Sequence, residues 1–252
     1  MIKYIERRNF YKKIQIRTIQ FLSCIWSKEM QLQSYDRILI ISPHPDDEII
    51  GCAGLIQKAL KQQKEVYVLM VTGGEAVWDS SLIDRAELIA KRKELMLSAA
   101  SIIGLPHDHF IHLGWSDGKL IETVENQEKQ RKLVQVIDSV KPSLILLPHP
   151  FEISEDHNAI NTILFNSLKI SNNNFSVFNF KIHSMRFLRE FILGWKKSYT
   201  ISLDKEEYQI KRQALDVYIE PLTDFGKPYS GSFAPSLLFW MRWDKELFFE
   251  AD

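Results

Sequence analysis

The sequence is short of cysteine: Cys24 and Cys52 are its only two. Two thiols cannot build a disulfide framework or a cysteine-rich zinc site, and they fit a reducing compartment. It also lacks net charge. Lys and Arg number 32 against 32 Asp and Glu, so no global field draws in nucleic acid and no nucleic-acid partner is expected. No segment reaches the roughly 18 to 20 uninterrupted apolar residues needed to span a bilayer. The basic N-terminus has an apolar stretch broken by Arg17 and Gln20, without a small-residue cleavage site. That argues against a signal peptide, and a cytoplasmic location is expected. Internal repeats and low-complexity tails are absent as well.

What is present suffices for one sizeable core: 252 residues, 45% of them hydrophobic, which favours a single domain over two. The expected division is a basic extension over residues 1–34 and one domain over 35–252. Over Met1 to Trp26 of the extension, Lys3, Arg7, Arg8, Lys12, Lys13 and Arg17 stand against the single acid Glu6. Ile5, Phe10, Ile14, Phe21, Leu22 and Trp26 are interleaved among them. A helix here has two readings: peripheral contact with an anionic membrane surface, or packing on the body or on a second subunit. The irregular apolar stripe favours packing, and an oligomer stays open.

From Arg37 the pattern alternates. Arg37–Ser42, Glu65–Thr72 and Ser143–Leu147 read as buried strands, and His109–Leu113 as a short one. Glu48–Gln62, Leu82–Ile103, Glu125–Val140 and Asn158–Leu168 read as helices, the second closed by Gly104 and Pro106. This predicts an α/β, Rossmann-like fold: a mainly parallel sheet sandwiched by helices, with a C-terminal α+β extension. In that extension Phe175–Phe180, Thr200–Leu203 and Leu237–Trp243 are expected as strands and Glu206–Val217 as a helix.

Two clusters follow strand ends, where open α/β sheets bind ligands. The first is Pro43-His44-Pro45-Asp46-Asp47-Glu48. One imidazole and three carboxylates within five positions repel unless a cation or protons compensate them, and a helix cap needs only one such group. The second runs from His149 through Glu152, Ser154, Glu155 and Asp156 to His157. A catalytic zinc takes three protein ligands and keeps one position open. His44 and Asp47 with His157 make such a His₂Asp set, one zinc per chain, and leave Asp46 beside the water. That suits amide hydrolysis, with Asp46 as the proton acceptor.

His44-Pro45-Asp46-Asp47-Glu48, followed by Gly51, resembles the first motif of the PIG-L/LmbE family of zinc N-deacetylases. Asp156-His157 with Ala159 is similar to the end of its second motif, and Thr72-Gly73-Gly74-Glu75, Arg92 and Glu94 also fit. The resemblance covers roughly 38–161, with a further match at Lys211–Tyr218. It implies zinc binding by His44, Asp47 and His157, general-base duty for Asp46 and an acetamido-sugar conjugate of N-acetylglucosamine type as substrate. It also implies that Asp156 orients an imidazole.

The sequence departs from the family at Ser154, where a histidine commonly stabilises the oxyanion three positions before the zinc histidine. His149, on the same segment, is the expected substitute and a second catalytic candidate. Asp156, Glu48, Ser154, Arg85 and Trp115 are candidates for orienting ligands or touching substrate; Trp78 and Asp117 balance between pocket and packing. His107, His109 and His112 are read as packing or surface residues, and His183 has no identifiable partner. Two rival functions remain: a metal-dependent phosphoesterase, which needs ligands for a second ion, and a non-catalytic sugar-binding relative, which Ser154 favours and Asp46 opposes.

Overall fold

The structure is a computed structural model describing residues 2–79, 81–169, 175–182, 192 and 194–251, with backbone only for 2–9. Among these, eight strands form one sheet: β1 (Lys28–Glu29), β2 (Arg37–Ser42), β3 (Glu65–Thr72), β4 (Phe110–Trp115), β5 (Leu144–Pro148), β6 (Ser176–Phe180), β7 (Ser198–Ser202) and β8 (Lys245–Glu250). The helices are α1 (Ile2–Trp26), α2 (Asp47–Lys61), α3 (Arg85–Ile103), α4 (Gln127–Val140), α5 (Glu155–Leu168), α6 (Lys205–Ile219) and α7 (Pro235–Met241).

β2 and β5 are apolar without alternation because both sheet faces are covered. Ile38, Ile40, Leu144 and Leu146 join one core with residues of α2, α3 and α6. Leu39, Ile41, Ile145 and Leu147 join the other, with residues of α4 and α5. The strand order is β1-β7-β8-β6-β5-β2-β3-β4, and β8 alone runs antiparallel to its neighbours. From β2 the chain moves outward through β3 to β4, then returns to β5 on the other side of β2. The order therefore reverses between β2 and β5, and a crevice opens beyond their carboxyl ends.

The predicted strands and helices up to Leu168 occur within a few residues, and two differences matter. Helix α5 begins at Glu155, three residues before the expected Asn158, because Ser154 takes the N-cap position and Glu155 and Asp156 occupy the first turn, where acids complement the helix dipole. The second is a correction. Leu237–Trp243 is not a strand; α7 covers Pro235–Met241, started by Pro235 in its first turn, and the strand is Lys245–Glu250. A short apolar run has no period that separates the two states, whereas proline fits the first turn of a helix. The C-terminal extension also prolongs the main sheet through β7 and β8.

Candidate metal centre and active site

The turn after β2 is held from every side. The Thr72 amide and hydroxyl both donate to the Pro43 carbonyl, at 3.0 and 2.8 Å. Asp46 sits at φ 129°, outside the comfortable range of a residue with a Cβ, a conformation that persists only when its surroundings over-determine it. They do so here. Buried Arg92 donates to the carbonyls of Pro45 and Gly74 at 2.7 and 2.6 Å, and to Asp46 Oδ2 at 3.3 Å. Gly74, at φ 70°, leaves room for that guanidinium, which a Cβ would strike. From below, Glu48 Oε2 accepts from the Asp46 amide at 3.2 Å and from the Ser42 hydroxyl at 2.9 Å, and its Oε1 accepts from the Tyr218 hydroxyl at 3.0 Å.

The turn and the first turn of α5 meet across the crevice. His44 Nδ1 lies 3.2 Å from His157 Nε2 and 3.2 Å from Asp47 Oδ2, and the last two are 3.1 Å apart. Zinc bonds of about 2.0–2.1 Å at tetrahedral angles put ligand atoms about 3.3 Å apart. The three atoms thus outline one face of a tetrahedron, and the residues fit a divalent cation. Among the described residues, the groups close enough to hold an ion all include His44.

A second layer fixes His44. Its Nε2 faces Asp117 Oδ1 at 3.0 Å and Asp156 Oδ2 at 3.4 Å. Asp156 accepts from the amides of Gly118 and Leu120 at 2.7 and 3.0 Å, and Asp117 Oδ2 accepts from the Ala76 amide at 2.7 Å. An Nε2–H committed to carboxylates leaves the Nδ1 lone pair for a cation.

The charges follow from these contacts. Burial alone would lower the His44 imidazole, but Asp117, Asp156 and Asp47 hold it well above its ordinary value. Burial would raise Asp47, yet His157 and His44 keep it well below the usual carboxylate range. Asp117 is held to about 2 by His44 against the pull of burial. Asp46 goes the other way: burial, helped by Asp47 and Glu48 and opposed by Arg92 and His44, pushes it to about 8. Glu48 rises to about 7, again chiefly through burial.

A cavity of about 270 Å³ opens on these groups. His44, Asp46, Asp47, His157 and Ser154 line it, with Phe233 from the segment before α7. The Ser154 hydroxyl makes no cap bond to α5. Asp156 stands behind His44, and Glu48 lies beneath the turn.

Three expected residues are elsewhere. His149 is packed edge-on against Phe249, with ring centroids 5.1 Å apart, and its Nδ1 accepts from the Phe151 amide. Burial, reinforced by Lys181, pushes it down to about 3, which disfavours the charged donor expected of it, and it is absent from the cavity lining. Arg85 pairs with Glu75 and is absent from the cavity lining. Trp115 is buried in the core beside α4 and α5, with the Lys129 ammonium 4.8 Å from its ring centre. His109 bonds the Val66 carbonyl and stacks on Tyr67. His183 lies outside the described residues. Of the groups that matter here, Asp117 carried only a weak signal, its place after a strand, and Arg92 and Tyr218 had only their motif positions.

An open α/β sheet with a His₂Asp triangle at its switch point defines a class of metal-binding protein. The particular family follows from comparison. The model of the PIG-L family, described as GlcNAc-PI de-N-acetylase, matches residues 39–168, and the chain belongs to that family. The chain is 31% identical over 121 residues to a diacetylchitobiose deacetylase of Thermococcus kodakarensis, covering 48% of this chain and 43% of that protein. It is 31% identical over 139 residues to a Bacillus subtilis protein named "Probable N-acetyl-alpha-D-glucosaminyl L-malate deacetylase 2", covering 53% and 61%. These matches span about half the length of the curated relatives. The fold is similar to that of N,N'-diacetylchitobiose deacetylase from Pyrococcus horikoshii, with a TM-score of 0.61 over 83% of this chain and 78% of that one at 19% identity. No helix of the described residues is long and apolar enough to cross a membrane.

Proposed function

We propose that the chain is a zinc-dependent N-deacetylase that hydrolyses the acetamido group of an N-acetylglucosamine-type sugar conjugate, releasing acetate and a free amine. The observation that carries this reading is the 3.1–3.2 Å triangle of His44, Asp47 and His157 with Asp46 beside it in one cavity. The names of the relatives, all acetamido-sugar deacetylases in the matches above, support the substrate class.

His44, Asp47 and His157 would hold the ion, and Asp117 and Asp156 fix the His44 ring that presents Nδ1 to it. Zinc bound there supplies an electrophile for the amide carbonyl and brings the pKa of water toward about 7. Asp46 accepts the proton of the attacking water and returns it to the leaving nitrogen, so the C–N bond breaks to an amine and not to an amide anion. Burial that raises Asp46 toward neutrality suits a group that must both take and give a proton. Arg92 holds the Asp46 carboxylate toward the cavity. Ser154, its hydroxyl free of capping duty, is the donor offered to the developing oxyanion. At about 270 Å³, the cavity falls below the roughly 300–1,000 Å³ of drug-sized sites, a size that suits a single sugar ring.

Acetate release from a panel of acetamido-sugar conjugates, measured with zinc and after chelation, tests the proposal. The expected result is release from at least one conjugate, lost on chelation and restored by zinc. No release from any conjugate, or release indifferent to chelation, would sink it. Phosphate release from a phosphoester instead would point to the phosphoesterase. Sugar binding without turnover would point to the non-catalytic relative.

A further inference from the structure

Helix α1 has two apolar faces. Ile16 and Ile19 are buried and pack on Trp240, Trp243, Leu247 and Phe249. At about 100° per residue, Phe10, Ile14, Phe21 and Ile25 fall within an arc of about 60° on the opposite side. They are 61%, 46%, 64% and 59% exposed. These two stripes explain why the helix shows no single amphipathic period. A row of large apolar side chains facing solvent is unusual and marks an interaction surface.

The surroundings of the row are basic. Between positions 7 and 28 the sequence has Arg7, Arg8, Lys12, Lys13, Arg17 and Lys28 and no acid, although the whole chain carries no net charge. At the far end Trp26 stacks near Trp195, with centroids 5.6 Å apart, and Lys196 lies over the Trp195 ring. Tryptophan beside lysine is the composition of a membrane–water interface. Arg17 also borders a cavity of about 510 Å³ with Lys205 and Arg242, against Asp204 and Asp244; Asp204 is engaged in capping α6.

We infer that the outer face of α1 docks the protein on an anionic lipid surface. The apolar row enters the headgroup–acyl boundary, while Lys13, Arg17, Lys28 and Lys196 meet lipid phosphates. A second copy of the chain fits less well, since two-fold pairing of this row would bring its flanking cations together. The cavity beside Arg17 includes Leu203 and Asp204, which follow the carboxyl end of β7, and β7 runs parallel to β6 because both oppose β8. Arg17 therefore lies toward the carboxyl end of the sheet, the end that carries the metal centre, whereas Trp195 and Lys196 precede β7 at its amino end.

Flotation of the full chain with phosphatidylcholine vesicles, with and without phosphatidylglycerol, tests the inference. Binding should require phosphatidylglycerol and weaken as salt rises. The double variant Phe21→Ser/Ile25→Ser should lower partitioning about 100-fold, about tenfold for each apolar side chain. Lys13→Gln/Arg17→Gln should lower it about 30-fold. Circular dichroism and metal content of the Phe21/Ile25 variant should match the parent, since both side chains face outward. Lys13 and Arg17 also lie over the Phe239 ring, at 5.9 and 4.8 Å from its centre, so their variant is compared with the parent at equal helicity. Absent or lipid-indifferent binding by the parent, or parent-like binding by the Phe21/Ile25 variant, would overturn the inference. So would self-association abolished by that variant without vesicle binding, which would give the row to a second copy.

Discussion

Two segments rich in ionisable residues leave adjacent strands, and the structure uses them differently. The turn after β2 brings His44, Asp46 and Asp47 to the cavity and turns only Glu48 inward. The segment after β5 divides. His157 and Ser154 reach the cavity, whereas Glu152 bonds Lys181 at 2.8 Å with both side chains buried, and His149 packs on Phe249. The length of chain between strand and helix makes the difference. After β2 the helix starts within five residues, so His44, Asp46 and Asp47 stay at the crevice. After β5 the chain needs a longer path to α5, and its first half is spent joining β6 and β8. Glu152 Oε1 accepts the Ile182 amide at 2.9 Å, and the His149 amide donates to the Phe180 carbonyl. Charge density at a strand end is thus a sign of a site only where a helix start pins it there.

The strongest test of this division is His157→Ala, which removes the one ion contact supplied by the β5 side. Metal content by elemental analysis should fall to near zero and turnover with it, while thermal unfolding remains cooperative. Undiminished metal would place the ion on the His44, Asp117 and Asp156 group, which also shares a donor at His44. Asp46→Asn comes next. Its metal content should persist while turnover falls by about 10² or more; a parent-like rate would transfer the base role to another carboxylate. Asp117→Asn should keep the fold and lower metal affinity by about 10- to 100-fold, since it weakens the hold on His44 Nε2. Competition with a chelator measures this, and an unchanged affinity would make the 3.0 Å contact with His44 incidental.

Much of this was legible in the residues. The strand Glu65–Thr72 has its expected bounds, because an unbroken apolar run rich in valine between polar ends leaves little choice. The joining of His44, Asp47 and His157 followed from two strand-end clusters that a parallel sheet had to bring to one edge. Other features depended on distant partners. Nothing near Asp117 in sequence indicates that the Ala76 amide and His44 will clamp it from two other strand ends. Arg92 has a motif position but no stated task until the carbonyls of Pro45 and Gly74 are seen to take its guanidinium. His149 stood in the right segment, but the Phe249 ring that claims it belongs to β8, and β8 was itself hidden because the neighbouring apolar run of α7 resembled a strand equally well.

Ser154 and His149 sharpen the contrast within the β5 segment. Ser154→Ala should lower turnover by up to about 10², the loss of one oxyanion donor, with metal content unchanged. His149→Gln should leave turnover near the parent value. Steady-state rates on whichever conjugate is turned over decide it, and the reverse ranking would restore His149 as the donor.

The smallest effect expected on catalysis is that of His149→Gln, yet the same variant should change the response to acid. The folded protein holds the His149 imidazole neutral down to about 3, because burial beside Lys181 disfavours its charged form. An unfolded chain protonates the same ring near the ordinary value of about 6.5. Above that value both states are neutral and the residue contributes nothing to pH dependence. Between the two values the unfolded state binds a proton that the folded state refuses. Unfolding free energy therefore falls as pH is lowered, by up to about 1.4 kcal/mol per pH unit from this residue alone. Below about 3 the folded protein binds the proton too, and the slope from this group disappears. Glutamine has no proton to bind, so urea unfolding between pH 7 and about 4 should lose less stability in His149→Gln than in the parent, whatever the two absolute values. The carboxylates of the metal centre titrate in both proteins and cancel in the difference. Parallel pH profiles would show that the ring is solvated or charged in the folded state, and would reopen the path by which His149 reaches the crevice.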